Sequence, residues 1–290
     1  MADVSEILSL KKLPSMPEAM ARAVPLLLDP DLNWRSLEEV VKRDEALTTA
    51  VLRVANSARF GAPGRQFDLR AAMTRLGRDE VRRCVLSQQV SGIAGGENAA
   101  FGLQRGALWR SALGGAIAAE HLAGVHGMRD RAGLAFLCGL LRDIGKLALN
   151  VRYGDAYLSA VAGHARDGVS FTDAERSALG FDHAEVGAAL ARKWKLPEQV
   201  ARAIEAHHAP PPPGPGHDRL LDVVHAADTV CRWAGLGVGV DGMEYPLVQH
   251  VRESLGLDRR AAESQIGMVW DRLREIEDGP AQAETRGAAA

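Results

Sequence analysis

Apolar residues return every three to four positions along nearly the whole chain and no stretch alternates with a period of two, so the pattern predicts an all-α protein. Ser36 and Glu39 make a capping box ahead of one apolar-striped helix. Asp44 opens another in which Leu47, Ala50, Val51 and Val54 share a face. Further helices are predicted at 17–28, 69–75, 79–91, 103–126, 132–149, 155–166, 183–194, 198–208, 218–234 and 258–276. Gly92, Gly95 and Gly96 punctuate the stretch to Asn98 and mark the internal boundary, giving an N-terminal helical subdomain (1–98) packed on a multi-helix core (99–216). The run Pro210 to Gly216 cannot be helical and reads as an extended surface loop. Helices at 217–278 complete or flank the core, and 279–290 read as a disordered tail. No repeat of 20 to 50 residues is visible, which sets a solenoid aside.

Composition narrows the function classes. The 290 residues suffice for two units, and 47% hydrophobic with 25% charged residues excludes wholesale disorder. Thirty-five basic against 37 acidic residues leave a net charge of −2, without the positive field that draws a chain onto nucleic acid or an anionic membrane. At 5% aromatic residues, base-stacking platforms have little to be built from. The longest uncharged apolar stretch, Ala132 to Leu141, is closed by Arg131 and Arg142, far short of the roughly 18 to 20 residues of a bilayer span. Met1 to Glu6 shows no basic-then-apolar leader, so a cytoplasmic location is expected. Cys84, Cys138 and Cys231 are scattered and odd in number, which suggests buried small residues rather than disulfides or a zinc ribbon.

The chemistry lies in polar residues on apolar stripes. Asp143 falls in line with Phe136, Leu140, Ile144 and Leu147, where a carboxylate is costly unless a metal, a cation or several hydrogen bonds meet it. His183 follows the cap residue Asp182 and aligns with Val186 and Leu190. His207 aligns with Val200, Ala203 and Ile204, and Asp228 with Leu221, Val224 and His225. Two carboxylates and two histidines pointing inward can form a polar cluster between helices, where bundles build metal sites, although a histidine taken singly is more often a satisfied core residue than a ligand. Arg75, Arg78, Arg82 and Arg83 crowd one region, but Asp79 and Glu80 beside them favour a solvated face over an anion-binding patch.

These residues resemble the HDOD domains, relatives of the HD metal-dependent phosphohydrolases and of the HD-GYP cyclic dinucleotide phosphodiesterases. The resemblance covers about residues 10 to 235. It rests on Leu13-Pro14-Ser15-Met16-Pro17, Asp29-Pro30, Arg43 to Thr48 with Asp44, Ala55-Asn56-Ser57 with Phe60-Gly61, and Arg75-Leu76-Gly77. Later come Leu108 to Ser111, Asp143-Ile144-Gly145-Lys146, Gly180 to Gly187 and His207-His208. In active relatives an early histidine, a His-Asp pair and a distant aspartate hold metal that activates water. Here Ser111 stands at the early histidine and Arg142 at the histidine of the pair, a poor ligand and one that cannot ligate. The Gly-Tyr-Pro signature expected after His207-His208 is replaced by the proline loop.

The resemblance therefore implies a non-catalytic signalling output module in a bacterial pathway, acting through contacts with signalling proteins. No catalytic residue, cofactor or metal is expected, although Asp143, His183, His207, His208 and Asp228 leave room for a residual divalent ion. A cyclic dinucleotide would enter only through a partner, and neither membrane nor nucleic acid is expected as one. The rival readings are a divergent metal phosphohydrolase acting on a nucleotide or cyclic dinucleotide, and a nucleic-acid-binding regulator. Arg142 either turns inward as a fixed cation on Asp143 or Asp228, or snorkels to solvent.

Overall fold

The computed structural model describes residues 3–57, 59–61, 67–164, 169–242 and 246–287. Among them it is all-helical, with α1 (Val4–Leu8), α2 (Glu18–Leu28), α3 (Trp34–Lys42), α4 (Glu45–Ala55), α5 (Leu69–Ala94), α6 (Ala107–Val125), α7 (Ala132–Leu141) and α8 (Ile144–Tyr153). There follow α9 (Ala156–Ala162), α10 (Phe171–Leu179), α11 (His183–Lys193), α12 (Glu198–Ala206), α13 (Arg219–Trp233), α14 (Gln249–Ser254) and α15 (Arg259–Gly287). No helix of the described residues is long and apolar enough to cross a membrane.

Packing gathers the chain into two units. One holds residues 1–15 and 93–270, the other 16–92 and 271–290. In the first, α6 lies against α7 and α13, α8 against α11, and α11 against α12, with α1 packed on α8 and α11. That packing carries the first fifteen residues into the larger unit, across the division drawn near residue 98. Two close helix crossings set its geometry. A Cβ on Gly139 would collide with the Gly115 carbonyl, so α6 and α7 touch backbone to backbone, and a Cβ on Gly145 would collide with the His183 carbonyl, so α8 and α11 do the same. Glycine is the residue that permits such an approach.

In the second unit the residues of the N-terminal motifs do local structural work. Asp44 caps α4 by accepting from the Leu47 amide (3.0 Å) and takes a second bond from Gln89 Nε2 (2.9 Å). At the end of α4 the Asn56 amide donates to the Leu52 carbonyl (2.8 Å) and the Ser57 hydroxyl to that of Val54 (2.7 Å). The Phe60 and Gly61 carbonyls both accept from the Arg75 guanidinium. Arg78 donates to the carbonyls of Leu27, Asp29 and Pro30. Arg82 is buried and pairs with Asp79 (3.0 Å), and Arg83 pairs with Glu80 (2.7 Å). The arginine group is thus not a free anion patch: Arg75 and Arg78 bond backbone carbonyls, Arg82 and Arg83 pair with the neighbouring carboxylates, and Arg82 is buried rather than on a solvated face.

Several element boundaries differ from the pattern. The helix expected at 132–149 is broken at Arg142 and Asp143 into α7 and α8. Asn33, not Ser36, caps α3, its side chain accepting from the Ser36 amide (3.0 Å). Gly92 lies inside α5, which continues to Ala94, while the break expected between 69–75 and 79–91 is present as a kink at Gly77, whose φ is 72°. α1, α10 and α14 are short and were not signalled by a full apolar stripe, and α15 runs on to Gly287 through the stretch read as a tail. Residues 165 and 166, at the end of the helix expected at 155–166, lie outside the described residues, as do 288–290 of the tail. The segment 210–216 is not helical, and its residues from Pro211 on are exposed. All three cysteines are free; Cys138 and Cys231 are buried and Cys84 is half-buried.

Candidate functional site

The break between α7 and α8 creates the site. Asp143 has φ −97° and ψ 13°, outside the helical well, so Arg142 and Asp143 both turn into the space between α6, α11 and α13. Arg142 is 1% exposed. Its Nε donates to Asp228 Oδ1 (2.8 Å), Nη1 to the carbonyls of Gly139 (2.8 Å) and Ser111 (3.1 Å), and Nη2 to the Ser111 hydroxyl (2.7 Å). Nη2 also lies 3.4 Å from Asp143 Oδ2. The snorkelling alternative is therefore excluded by the geometry. Gly115 makes the space, since a Cβ there would collide with Nη1 and stand 2.7 Å from Cζ.

Two further cations complete the charge balance. Arg232, one turn after Asp228 on α13, donates to Asp228 Oδ2 (2.7 Å). Lys146, one turn after Asp143, lies 3.0 Å from Asp143 Oδ1 and donates to Asp241 Oδ2 (2.8 Å). Asp241 belongs to the segment after α13 that closes over the cluster: Val240 N donates to the Phe101 carbonyl (3.0 Å), and a Cβ on Gly237 or Gly239 would strike Ser111 or the Phe101 carbonyl. Despite burial, Arg232 and Arg142 hold Asp228 down at about 2, and Lys146 with Arg142 holds Asp143 well below the ordinary carboxylate range.

The histidines form one directed network. His183 Nδ1 faces Glu175 Oε2 (2.7 Å) and His207 Nδ1 faces the Ile204 carbonyl (2.5 Å). Carbonyl and carboxylate oxygens only accept, so both Nδ1 atoms carry hydrogen and both Nε2 atoms turn lone pairs toward Asp143 Oδ1, at 3.9 and 3.8 Å. His208 Nδ1 accepts from Arg232 Nη2 (3.1 Å), which leaves its Nε2–H to donate to His183 Nε2 (2.8 Å). Burial pushes His207 down to about 3, and burial with His207 beside it depresses His208. Burial also opposes protonation of His183, but the Glu175 carboxylate outweighs it and raises that imidazole.

The donor set can be tested against the metal that HD enzymes use. Ligand atoms of Asp143, His183, His207 and His208 lie within 4.8 Å of one another; His207 Nε2 has no hydrogen-bond partner, and Asp143 Oδ1 has only its ion pair with Lys146. Asp143, His183 and His207 are thus the ligand set for a single divalent ion, which would have to take His183 Nε2 from His208 and share Asp143 Oδ1 with Lys146; His208 could join only by giving up its bond from Arg232. The half of the site around Asp228 does not fit one, because both carboxylate oxygens are held by guanidinium groups and Ser111 spends its hydroxyl on Arg142.

The structure thus brings Ser111, Arg142, Asp143, Lys146, His183, His207, His208 and Asp228 together, and leaves Asp44, Asn56, Ser57, Phe60 and Gly61 in the other unit. Sequence reasoning missed Glu175, Arg232 and Asp241. Glu175 is wholly buried, bonded to His183 and to the Tyr157 hydroxyl. Its signal was a carboxylate among apolar residues of a nine-residue helix too short to be noticed. Arg232, four residues beyond Asp228, was legible as a helical ion pair. Asp241, far along the chain in a loop, carried no signal.

A family model described as HDOD domain matches residues 13–210. An uncharacterized protein of Treponema pallidum (strain Nichols) is 27% identical over 256 residues, 88% of this chain but 47% of that protein, so the chain spans about half its length. Among solved structures, an HDOD domain protein with unknown function from Geobacter sulfurreducens superposes with a TM-score of 0.71 at 24% identity, over 94% of this chain and 96% of that one; at this identity the likeness concerns the fold. A Shewanella amazonensis SB2B protein provisionally named a phosphohydrolase gives 0.65 at 25% identity, over 93% and 97%. A Marinobacter aquaeolei VT8 protein provisionally named a signal transduction protein gives 0.68 at 25%, over 92% of this chain and 59% of that one.

Proposed function

The chain belongs to the HDOD domain family, and from that premise we propose that it is a non-catalytic output module that passes a signal through protein contacts. The observation that carries the reading is the Arg142 guanidinium, seated on Asp228 and Ser111 where active relatives hold metal. A permanent cation satisfies the carboxylate and offers neither an open coordination position nor an activated water. Closure supports the same reading, since Ser111, Arg142, Asp143, His183, His207, Asp228 and Asp241 are all buried. The name of the Marinobacter relative is in keeping with a signalling role.

A second reading has one specific observation in its favour, the buried His207 Nε2, which has no hydrogen-bond partner and faces Asp143 Oδ1 at 3.8 Å. An ion held there by Asp143, His183 and His207 would supply a Lewis acid for a phosphoryl oxygen. Metal analysis of purified protein, combined with assays on cyclic dinucleotides, separates the two. Protein without turnover supports the output-module reading. Stoichiometric iron, manganese or nickel together with hydrolysis of a cyclic dinucleotide would replace it with a phosphohydrolase.

A further inference from the structure

A second group of ligand-type side chains lies outside this cluster, at the start of α13. Asp222 is 1% exposed, and its partners among the described residues are two imidazoles: His217 Nε2 at 2.9 Å from Oδ2 and His250 Nε2 at 3.5 Å from Oδ1. Asp218, one turn earlier, shows the usual solution for such a carboxylate, a two-pronged bond from Arg131 at 2.7 and 3.0 Å. No lysine or arginine of the described residues does this for Asp222. Three buried polar atoms here, Asp222 Oδ1, His217 Nδ1 and His250 Nε2, have no hydrogen-bond partner. A buried carboxylate flanked by imidazoles with orphaned nitrogens lacks a cation.

We propose that His217, Asp222 and His250 bind a divalent transition-metal ion of the zinc class. Two imidazoles and one carboxylate are the ligand types such ions select. The N–O separations of 2.9 and 3.5 Å bracket the about 3.3 Å expected between two ligands of a tetrahedral ion with bonds of about 2.0–2.1 Å. The rings stand 6.1 Å apart, centroid to centroid, and the three ligand atoms are not drawn together within 4.8 Å as those of the Asp143 cluster are, so both imidazoles must move inward and His217 Nε2 must give up the proton it donates to Asp222 to share the ion. The backbone around them is already fixed. Arg131 anchors Asp218 at the cap of α13, and the Val248 amide, at the cap of α14, donates to His225 Nε2 (3.0 Å). His217 directly follows the proline segment 210–216, so the ion ties that exposed loop to α13 and α14.

The test starts from chelator-treated full-length protein, with zinc chloride as the probe. After gel filtration the wild type is expected to retain one zinc ion more per chain than the His217→Gln/His250→Gln variant, whatever the Asp143 cluster holds in both. Equal zinc in the two overturns the proposal. A measurement on wild type alone covers the case in which the variant does not fold. Carbethoxylation by diethyl pyrocarbonate, mapped by mass spectrometry, should be slowed at least tenfold by zinc at His217 and His250 and left unchanged at exposed His121. Unchanged rates at His217 and His250 would overturn the proposal equally.

Discussion

Replacing Arg142 by methionine, which keeps much of the side-chain volume and removes the charge, interrogates the centre of the site. The guanidinium makes four hydrogen bonds of 2.7 to 3.1 Å, to Asp228, Ser111 and two backbone carbonyls. Removing one partner from a buried ion pair costs about 3–5 kcal/mol, because the other is left uncompensated. Here Asp228 keeps Arg232 at 2.7 Å and Asp143 keeps Lys146 at 3.0 Å, which places the loss near the lower end, about 3 kcal/mol. For a unit of this size that corresponds to a fall in Tm of roughly 6–12 °C. Urea titration in chelator-containing buffer measures it, and the Asp228→Asn background shows whether it is the ion pair that is lost. In that background Arg142→Met should cost much less, since the charge it compensates has gone. A Tm within about 1 °C of wild type for Arg142→Met alone would refute the view that the guanidinium replaces an ion.

Gly115→Ala should destabilise by about 2 kcal/mol or more through its collision with Arg142 Nη1, while Gly124→Ala, with nothing within 4 Å of the added methyl, should be neutral or slightly stabilising; equal midpoints for the two in thermal melts would contradict the crossing geometry. Acidification should weaken the metal-free fold. His207 is held at about 3 against an ordinary 6.5, so the unfolded chain takes up a proton the fold refuses. Stability fully present above pH 6.5 then declines by about 1.4 kcal/mol per pH unit as pH falls toward 3. His208 acts in the same direction; His183, whose value is raised, acts oppositely, its contribution full below 6.5 and lost as pH rises through its raised value. Urea midpoints that stay flat from pH 7 to 4.5 would be inconsistent with neutral buried imidazoles. Ser111→His should lower stability by about 1–3 kcal/mol and not create a metal site, a result checked by melting with and without manganese.

Much of this was legible in the sequence because helical periodicity marks a buried side chain wherever it falls. Asp143, His183, His207 and Asp228 each broke an apolar stripe, and each is buried in the cluster. The break at Arg142 was not legible, since apolar residues continue in register through 132–149 while the junction is set by where α8 must cross α11 at Gly145. Boundaries failed where capping was ambiguous: Asn33 and Ser36 are both competent caps, and tertiary packing chose the first. The closing segment with Asp241 was beyond reach because its position depends on two backbone collisions avoided at Gly237 and Gly239, and periodicity carries no information about loops. His217, Asp222 and His250 escaped notice for a related reason. Asp222 lies on a helix, but its two partners come from a loop end and from a six-residue helix too short to show a stripe.

The two departures from the metal-binding pattern, Ser111 and Arg142, are one structural substitution. An arginine at 142 in the presence of a histidine at 111 would set a guanidinium against an imidazole in a space where Gly115 has already given up its side chain. A serine at 111 resolves this, since its hydroxyl accepts from Nη2 at 2.7 Å while its small volume lets Gly237 rest on it, with a φ of 68° that other residues rarely adopt. Seating of that segment then brings Asp241 to Lys146, and Lys146 to Asp143. The chain of contacts runs from the replaced ligands to the closure of the site. Placing a histidine at 111 or at 142 singly therefore disturbs the closing segment or leaves Asp228 short of a cation, so the two positions can change only together.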